Sequence, residues 1–334
     1  MKRRQFIQAS LGSGLLLAAN GADAARGATP ADTLHWRDTT FAGLGTVMSI
    51  RAAHVDAHAL VQALARARQV IARIEDEMSL FRPTSALSQL NRTGVLYRPS
   101  PELLQILQLS QRVSKQSRGA FDVTVQPYWQ LYAQAKSDGR LPRPEELAKA
   151  QAQVGWQHMQ VSVAQVTLTK RGMGVTLNGI AQGYAADRVR ASLKRDGVPH
   201  ALINTGEWAA IGLADGHRPW VLGVADPHRA DQWLTRVAMH GLSLATSADD
   251  QCIFSDDRKH HHIFNPRTGS SPQDIASVTV AAPTCAMADA MTKVLFVEGY
   301  DRSLQQADAW GVSALVVHKN GEWKASRSFS RVAA

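Results

Sequence analysis

Val175-Thr-Leu-Asn-Gly-Ile-Ala-Gln-Gly-Tyr-Ala-Ala-Asp187 reads as a strand that turns through Asn178-Gly179 into a helix over Ile180–Lys194. β-branched and apolar residues lead in, Asn-Gly marks the turn, and apolar residues at helical spacing follow. Around this unit, short β-rich pieces are expected at 159–169, 173–177, 200–203, 208–212, 219–224, 232–238 and 275–282. One further helix, Cys285–Val297, interrupts them. Strands and helices therefore do not alternate one for one, as a doubly wound parallel sheet requires. The class expected is α+β, with mixed sheets and packed helices in two intimately joined lobes.

Toward the N-terminus the periodicity changes. Gly45-Thr-Val-Met-Ser-Ile-Arg51 alternates like a strand. From Asp56 to Met78 the apolar positions Leu60, Leu64, Ala67, Ile71, Ile74 and Met78 recur every three or four residues, which predicts a long amphipathic helix docked on a sheet, with Asp56 as its N-cap. A second helix is expected after Ser100-Pro101, running to Gly119, and a short helix between lobes within the polar stretch 136–156.

Met1-Lys-Arg-Arg-Gln-Phe-Ile7, the apolar run Leu15–Ala18 and the small-residue site Ala22-Asp-Ala24 follow the order of a twin-arginine export signal. The competing reading is an amphipathic cytoplasmic N-terminus. The organisation expected is a signal over 1–24, a linker over 25–40 and one domain over 41–325. No cysteine follows the signal and no later stretch approaches the ~20 apolar residues of a membrane span. The mature chain is therefore expected in the periplasm, soluble, with no transmembrane span and not as a lipoprotein. Loss of residues 1–24 removes Lys2, Arg3, Arg4 and Asp23, so the formal charge falls from +9 to +7. That surplus forms no stripe with interleaved aromatics, and no nucleic-acid partner is expected; it suits anionic small ligands. Cys252 and Cys285 lie in no metal spacing; in an oxidising compartment they could pair, and two free buried thiols are the reading favoured over that.

No G-x-G-x-x-G follows a strand and no Walker-type loop is present, which excludes Rossmann and P-loop phosphate binding. Three segments carry candidate chemistry. The Val175–Asp187 unit places backbone N–H groups and two glycines at a helix start, which serves either a phosphate site or an ordinary turn. In Lys259-His-His-His-Ile-Phe-Asn-Pro-Arg-Thr-Gly-Ser-Ser-Pro272, Asn265-Pro266 and Thr268-Gly269 build a tight turn that holds His262 at a fixed place, while His260 and His261 read as an exposed polar run. In Ala286-Met-Ala-Asp289-Ala-Met-Thr292-Lys293, Asp289 and Lys293 stand one helical turn apart, as a surface ion pair or with the carboxylate free for a hard cation.

Taken in order, six elements resemble the FAD:protein FMN transferases, the ApbE-type flavin transferases, over about Gly43–Val317. They are Leu44-Gly45-Thr46; Met78-Ser-Leu-Phe81-Arg-Pro-Thr-Ser85 with Leu90-Asn91; Gly119-Ala-Phe-Asp122-Val-Thr124 with Pro127; the Val175–Asp187 unit; Leu244-Ala-Thr-Ser-Ala-Asp249; and His262-Ile-Phe-Asn-Pro-Arg-Thr-Gly269. The resemblance implies transfer of FMN from FAD to a Thr or Ser hydroxyl of a periplasmic or membrane-bound redox protein, within an Asp-x-x-Thr-Gly-Ala-Ser/Thr segment, with release of AMP. By that resemblance Leu44, Phe81, Gly119, Ala120, Phe121 and Asp122 would enclose the ring systems, and Asn178, Gly179, Gln182, Glu207 and Thr246 would complete the dinucleotide site. His262 would act as acid and base. Asp289 would serve the reaction and, with the carbonyl of Ala181, hold Mg²⁺ on the diphosphate.

The chain departs from the family's pattern at four places. Lys293 stands where the family has a metal-ligating threonine, and an ammonium offers only donors. Gln182-Gly-Tyr replaces Lys-Gly-Tyr, Asn204-Thr-Gly-Glu207-Trp208 replaces Asn-x-Gly-Gly-Asp, and Thr246-Ser-Ala248 replaces Thr-Ser-Gly. Lys293 then either takes over part of the role of Mg²⁺ or neutralises Asp289 and weakens a metal site. Reduced Mg²⁺ dependence is expected in both cases. The rival reading is a non-catalytic FAD carrier or assembly factor; a third is a hydrolase releasing FMN and AMP.

Overall fold

The computed structural model describes residues 34–239 and 241–333. The export signal expected over 1–24 and the first part of the linker lie outside the described residues. The rest of that linker is a strand: β1 (His35–Gly43) pairs along its whole length with β2 (Thr46–His54). As a sheet-edge strand, β1 carries few apolar residues and exposes charges, so it lacks the alternation that marks a buried strand. The hairpin turns on Leu44 and Gly45, both at positive φ (47° and 79°), the backbone that two-residue hairpins require.

Along the chain follow α1 (Ala57–Met78), α2 (Ala86–Thr93), β3 (Val95–Tyr97), α3 (Pro101–Gln116), α4 (Gln126–Ser137) and α5 (Pro144–Ala152). Next come β4 (Met159–Val161), β5 (Gln165–Leu168), α6 (Ala181–Arg195), β6 (His200–Asn204), β7 (Trp208–Ile211), β8 (Trp220–Asp226) and β9 (Arg229–Met239). The chain ends with β10 (Ser243–Ala248), β11 (Ile275–Ala282), α7 (Cys285–Glu298), α8 (Tyr300–Ala309), β12 (Ser313–His318) and β13 (Trp323–Ala325). The expected α1 forms with Asp56 as its cap: the carboxylate accepts from the N–H groups of His58 (2.7 Å) and Ala59 (3.0 Å).

An eight-stranded antiparallel sheet in the order β1-β2-β6-β7-β10-β11-β12-β13 organises the molecule. Period-2 alternation sorts its side chains to two faces. Met48, Ile50, Ala201, Ile203, Val278, Val280, Ala314 and Val316 face a core shared with α1, α6 and α7. Leu202, Leu244, Leu315 and Val317 face a second core closed by the β8–β9 hairpin through Trp220, Leu222, Val224 and Val237. β11 is buried on both faces, which explains its unbroken run of small and β-branched residues. A third cluster, Tyr128, Tyr132, Phe254 and Phe264, joins α4 to the loop before β11.

Two sequence readings need correction. Residues 159–169 are a hairpin, β4 and β5, rather than one strand. Residues 173–177 belong to no sheet: Gly174 makes an isolated parallel bridge to Val125, and the Asn91 amide accepts from Val175 N–H (2.7 Å) and donates to Val175 O (2.8 Å). Thr176 N–H donates to Val123 O (2.7 Å). A side chain here does the work of a neighbouring strand.

Candidate active site

The site is assembled where α6 and α7 start side by side. Neither helix has a side-chain cap of its own, so the orphan N–H groups of each first turn need acceptors from elsewhere. Each helix caps the other. Asp187 of α6 accepts from the N–H groups of Cys285 and Ala286 (2.9 Å each), and Asp289 of α7 accepts through Oδ2 from Gly183 N–H (3.1 Å). This exchange needs close backbones, and Gly183 permits it: a Cβ there would lie 2.4 Å from Cys285 O and 2.8 Å from Asp289 Cβ.

Asp289, 1 % exposed, is held on its other oxygen by the Lys293 ammonium. The lysine stem runs across Gly179, where an added Cβ would touch its Cγ, Cδ and Cε at 3.4–3.7 Å. Lys293 lines an open cleft. The loop Ala120–Val123, Thr176 and the Asn178-Gly179 turn line it together with Val125, Trp129, His262, Ile263, Phe264 and Pro266.

His262 reaches this cleft because the chain doubles back on itself, with His262 N–H donating to Cys252 O (3.0 Å), and then turns sharply. The turn forms as its residues predict: Gly269 N–H donates to Asn265 O (2.8 Å), and Arg267 N–H to Asn265 Oδ1 (3.0 Å). Tyr128 locks it, donating its hydroxyl to Pro266 O (3.1 Å) and sitting where a Cβ on Gly269 would fall, 2.6 Å from the ring. Burial, helped by repulsion from His261 and Lys293, lowers the His262 imidazole to about 3. The ring is therefore neutral above that pH, and its Nδ1 has no hydrogen-bond partner among the described residues.

The expected site residues fall into three groups. Ala120, Phe121, Asp122, Asn178, Gly179, His262 and Lys293 line the cleft. Ala181, Gln182, Glu207, Thr246 and Asp289 do not line it: Asp289 is buried behind Lys293, Gln182 lies over Gly206, and Glu207 accepts Thr246 N–H (3.1 Å). Burial, and then the nearby Asp289, push the Glu207 carboxyl well above its usual range. Gly119, at positive φ (81°), turns the chain into the cleft wall without lining it. Leu44 sits at the hairpin tip and exposed Phe81 at the start of the α2 loop, both outside the cleft lining. The Asp122 carboxylate ties its own loop to the segment after α5, accepting from Thr124 N–H (2.8 Å), Thr124 hydroxyl (2.7 Å) and Trp156 N–H (2.9 Å). Sequence reasoning missed Trp129, Thr176, Phe264 and Asp187; for Trp129 the one available signal was its place in the first turn of a helix that follows Gly119–Thr124 directly.

A model of the ApbE family matches residues 44–316. The chain belongs to the ApbE family. Among curated proteins it is similar to the FAD:protein FMN transferase of Klebsiella pneumoniae, 29 % identical over 333 residues, covering 95 % of this chain and 93 % of that protein. It is similar too to the FAD:protein FMN transferase of Haemophilus influenzae, 27 % identical over 275 residues, covering 78 % and 80 %. Among solved structures, the ApbE protein of Thermotoga maritima superposes with a TM-score of 0.82 at 25 % identity, over 90 % of this chain and all of that one. The flavin transferase ApbE of Vibrio cholerae superposes with a TM-score of 0.78 at 23 % identity, over the same share of each chain.

The Mg²⁺ site implied by resemblance to ApbE proteins does not fit the donors present. Both Asp289 oxygens are engaged, one by Lys293 and one by Gly183 N–H. Lys293 offers no lone pair. Among the described residues no group of three or more His, Cys, Asp or Glu side chains stands close enough to hold a metal ion.

Proposed function

We propose that this ApbE-family chain transfers the FMN half of FAD to a threonine or serine hydroxyl of a partner redox protein, releasing AMP. The observation that carries the proposal is the convergence of a neutral imidazole, an ammonium and an open backbone turn on one cleft with an aromatic wall. The names borne by the curated relatives support the same reaction.

The chemistry follows from the residues. Phe121, Trp129, Phe264 and Pro266 offer flat apolar surface to a ring system, while Asn178, Gly179 and Lys293 offer polar contact to a diphosphate. The acceptor oxygen attacks the flavin-side phosphorus, the P–O bond to the AMP phosphate breaks, and the hydroxyl proton passes to His262. His262 is neutral at physiological pH, as a proton acceptor must be, and an anionic diphosphate in the cleft would favour its charged form relative to the empty site. Such a transfer depends on in-line positioning and charge neutralisation more than on covalent help from the protein. No step is assigned to a metal ion.

The twin-arginine pattern at residues 3–4 supports export and, with it, an acceptor in the periplasm or on the membrane facing it. Among the described residues no helix is long and apolar enough to cross a membrane. Incubating the chain with FAD and a peptide containing Asp-x-x-Thr-Gly-Ala-Thr tests the proposal. Flavin fluorescence on the peptide with one AMP per label is expected. Free FMN with AMP indicates a hydrolase instead, and unchanged FAD that stays bound indicates a carrier.

A further inference from the structure

We infer that the Lys293 ammonium takes the place of a divalent cation in this chain, so that it binds the diphosphate of FAD without a metal ion. The inference rests on the reading of FAD as the ligand. Lys293 is the one Lys or Arg among the residues lining the cleft. Its stem lies against Gly179 and its head against Asp289, which places it beside the Asn178-Gly179 turn of the cleft lining. One of its three donors goes to Asp289 Oδ1, and two remain for phosphate oxygens.

A divalent ion at this place meets three obstacles. It must displace a lysine from a buried carboxylate, approach a like charge, and share Asp289 with the N–H of Gly183, which already draws on the other carboxylate oxygen. The lysine has no such conflict, since the carboxylate that anchors it goes on capping α6. A tethered ammonium acts on phosphate as a fixed point charge. The positive charge is therefore built into the fold and does not depend on metal concentration.

FAD binding, followed by quenching of flavin fluorescence with the full chain, tests this. The dissociation constant is expected to agree within about twofold between EDTA and millimolar Mg²⁺. Lys293→Met, which keeps the stem and loses the charge, is expected to weaken binding roughly tenfold or more, without recovery in Mg²⁺. Lys293→Thr frees Asp289 Oδ1 as Met does but adds a hydroxyl oxygen beside it, and is expected to bind FAD weakly in EDTA and more tightly in Mg²⁺. Wild-type binding that EDTA weakens tenfold overturns the inference and leaves the transferase reading intact. So does a Lys293→Met variant that binds like wild type. Absence of FAD binding with and without Mg²⁺ overturns both.

Discussion

Replacing Gly183 with alanine forces apart the two helices on which Asp289 and Lys293 depend. The new Cβ would lie 2.4 Å from Cys285 O, 2.7 Å from Cys285 C and 2.8 Å from Asp289 Cβ. Side-chain carbons do not approach within 3.0 Å, so the start of α7 must retreat by about 0.6 Å, and two of the three obstructing atoms are backbone. Two effects oppose. Alanine in place of a helical glycine stabilises by up to about 1 kcal/mol. Overpacking costs about 1–3 kcal/mol, and the retreat also stretches the bond from Gly183 N–H to Asp289, one of a charge-assisted class worth about 1.5–3 kcal/mol. The net expectation is destabilisation by about 2 kcal/mol, read as a lower urea midpoint at unchanged slope. Gly179→Ala is the control, because its Cβ meets only the Lys293 stem at ordinary distance and its stability should change by less than about 0.5 kcal/mol. A Gly183→Ala protein as stable as the parent, or more so, refutes the close-approach argument.

Asp187→Ala strips the acceptors from Cys285 and Ala286 N–H and the ion-pair partner from Arg190, so a loss of about 3–4 kcal/mol is expected in the same denaturation assay, with FAD binding weakened as α7 frays. His262→Ala should lower FMN transfer by about 10²–10⁴-fold and leave FAD affinity within a few-fold, by label formation and fluorescence titration respectively. For the pH dependence, a folded pKa below the free value keeps the base form present down to about 3. The acid limb of kcat/KM is therefore absent near the free-imidazole value of about 6.5; a break at that pH assigned to His262 contradicts the buried, repelled environment that His261 and Lys293 create. Trp129→Ala should weaken FAD binding by about 1 kcal/mol, close to an order of magnitude in affinity, through loss of ring contact.

Much of the scaffold was legible because local signals agree with the tertiary outcome. α1 shows three-to-four spacing over 22 residues, and Asp56 stands where its carboxylate meets two N–H groups. The 265–270 turn follows from Asn-Pro and Thr-Gly chemistry alone. What was not legible depends on partners distant in sequence. Val175 satisfies its backbone on Asn91, 84 residues away, so a β-rich pattern there makes no strand. Asp187 and Asp289 exchange caps across about a hundred residues; Ile180 stands at the N-cap of α6 and Thr284 at that of α7 without making the cap bond, so neither helix start shows which residue supplies the acceptor. β1 escaped notice because an edge strand buries little. Asp122 lines the cleft, and its carboxylate also bonds Thr124 and, 34 residues away, Trp156, a second role that no local pattern announces.

A crystal structure with FAD bound is the most direct measure of the account. It should show diphosphate oxygens within hydrogen-bond reach of Lys293 Nζ and the Asn178-Gly179 turn, the flavin-side phosphorus facing His262, and no metal ion between Asp289 and the ligand. FAD seated away from His262 and Lys293, or a cation bound by Asp289 with Lys293 swung aside, contradicts it.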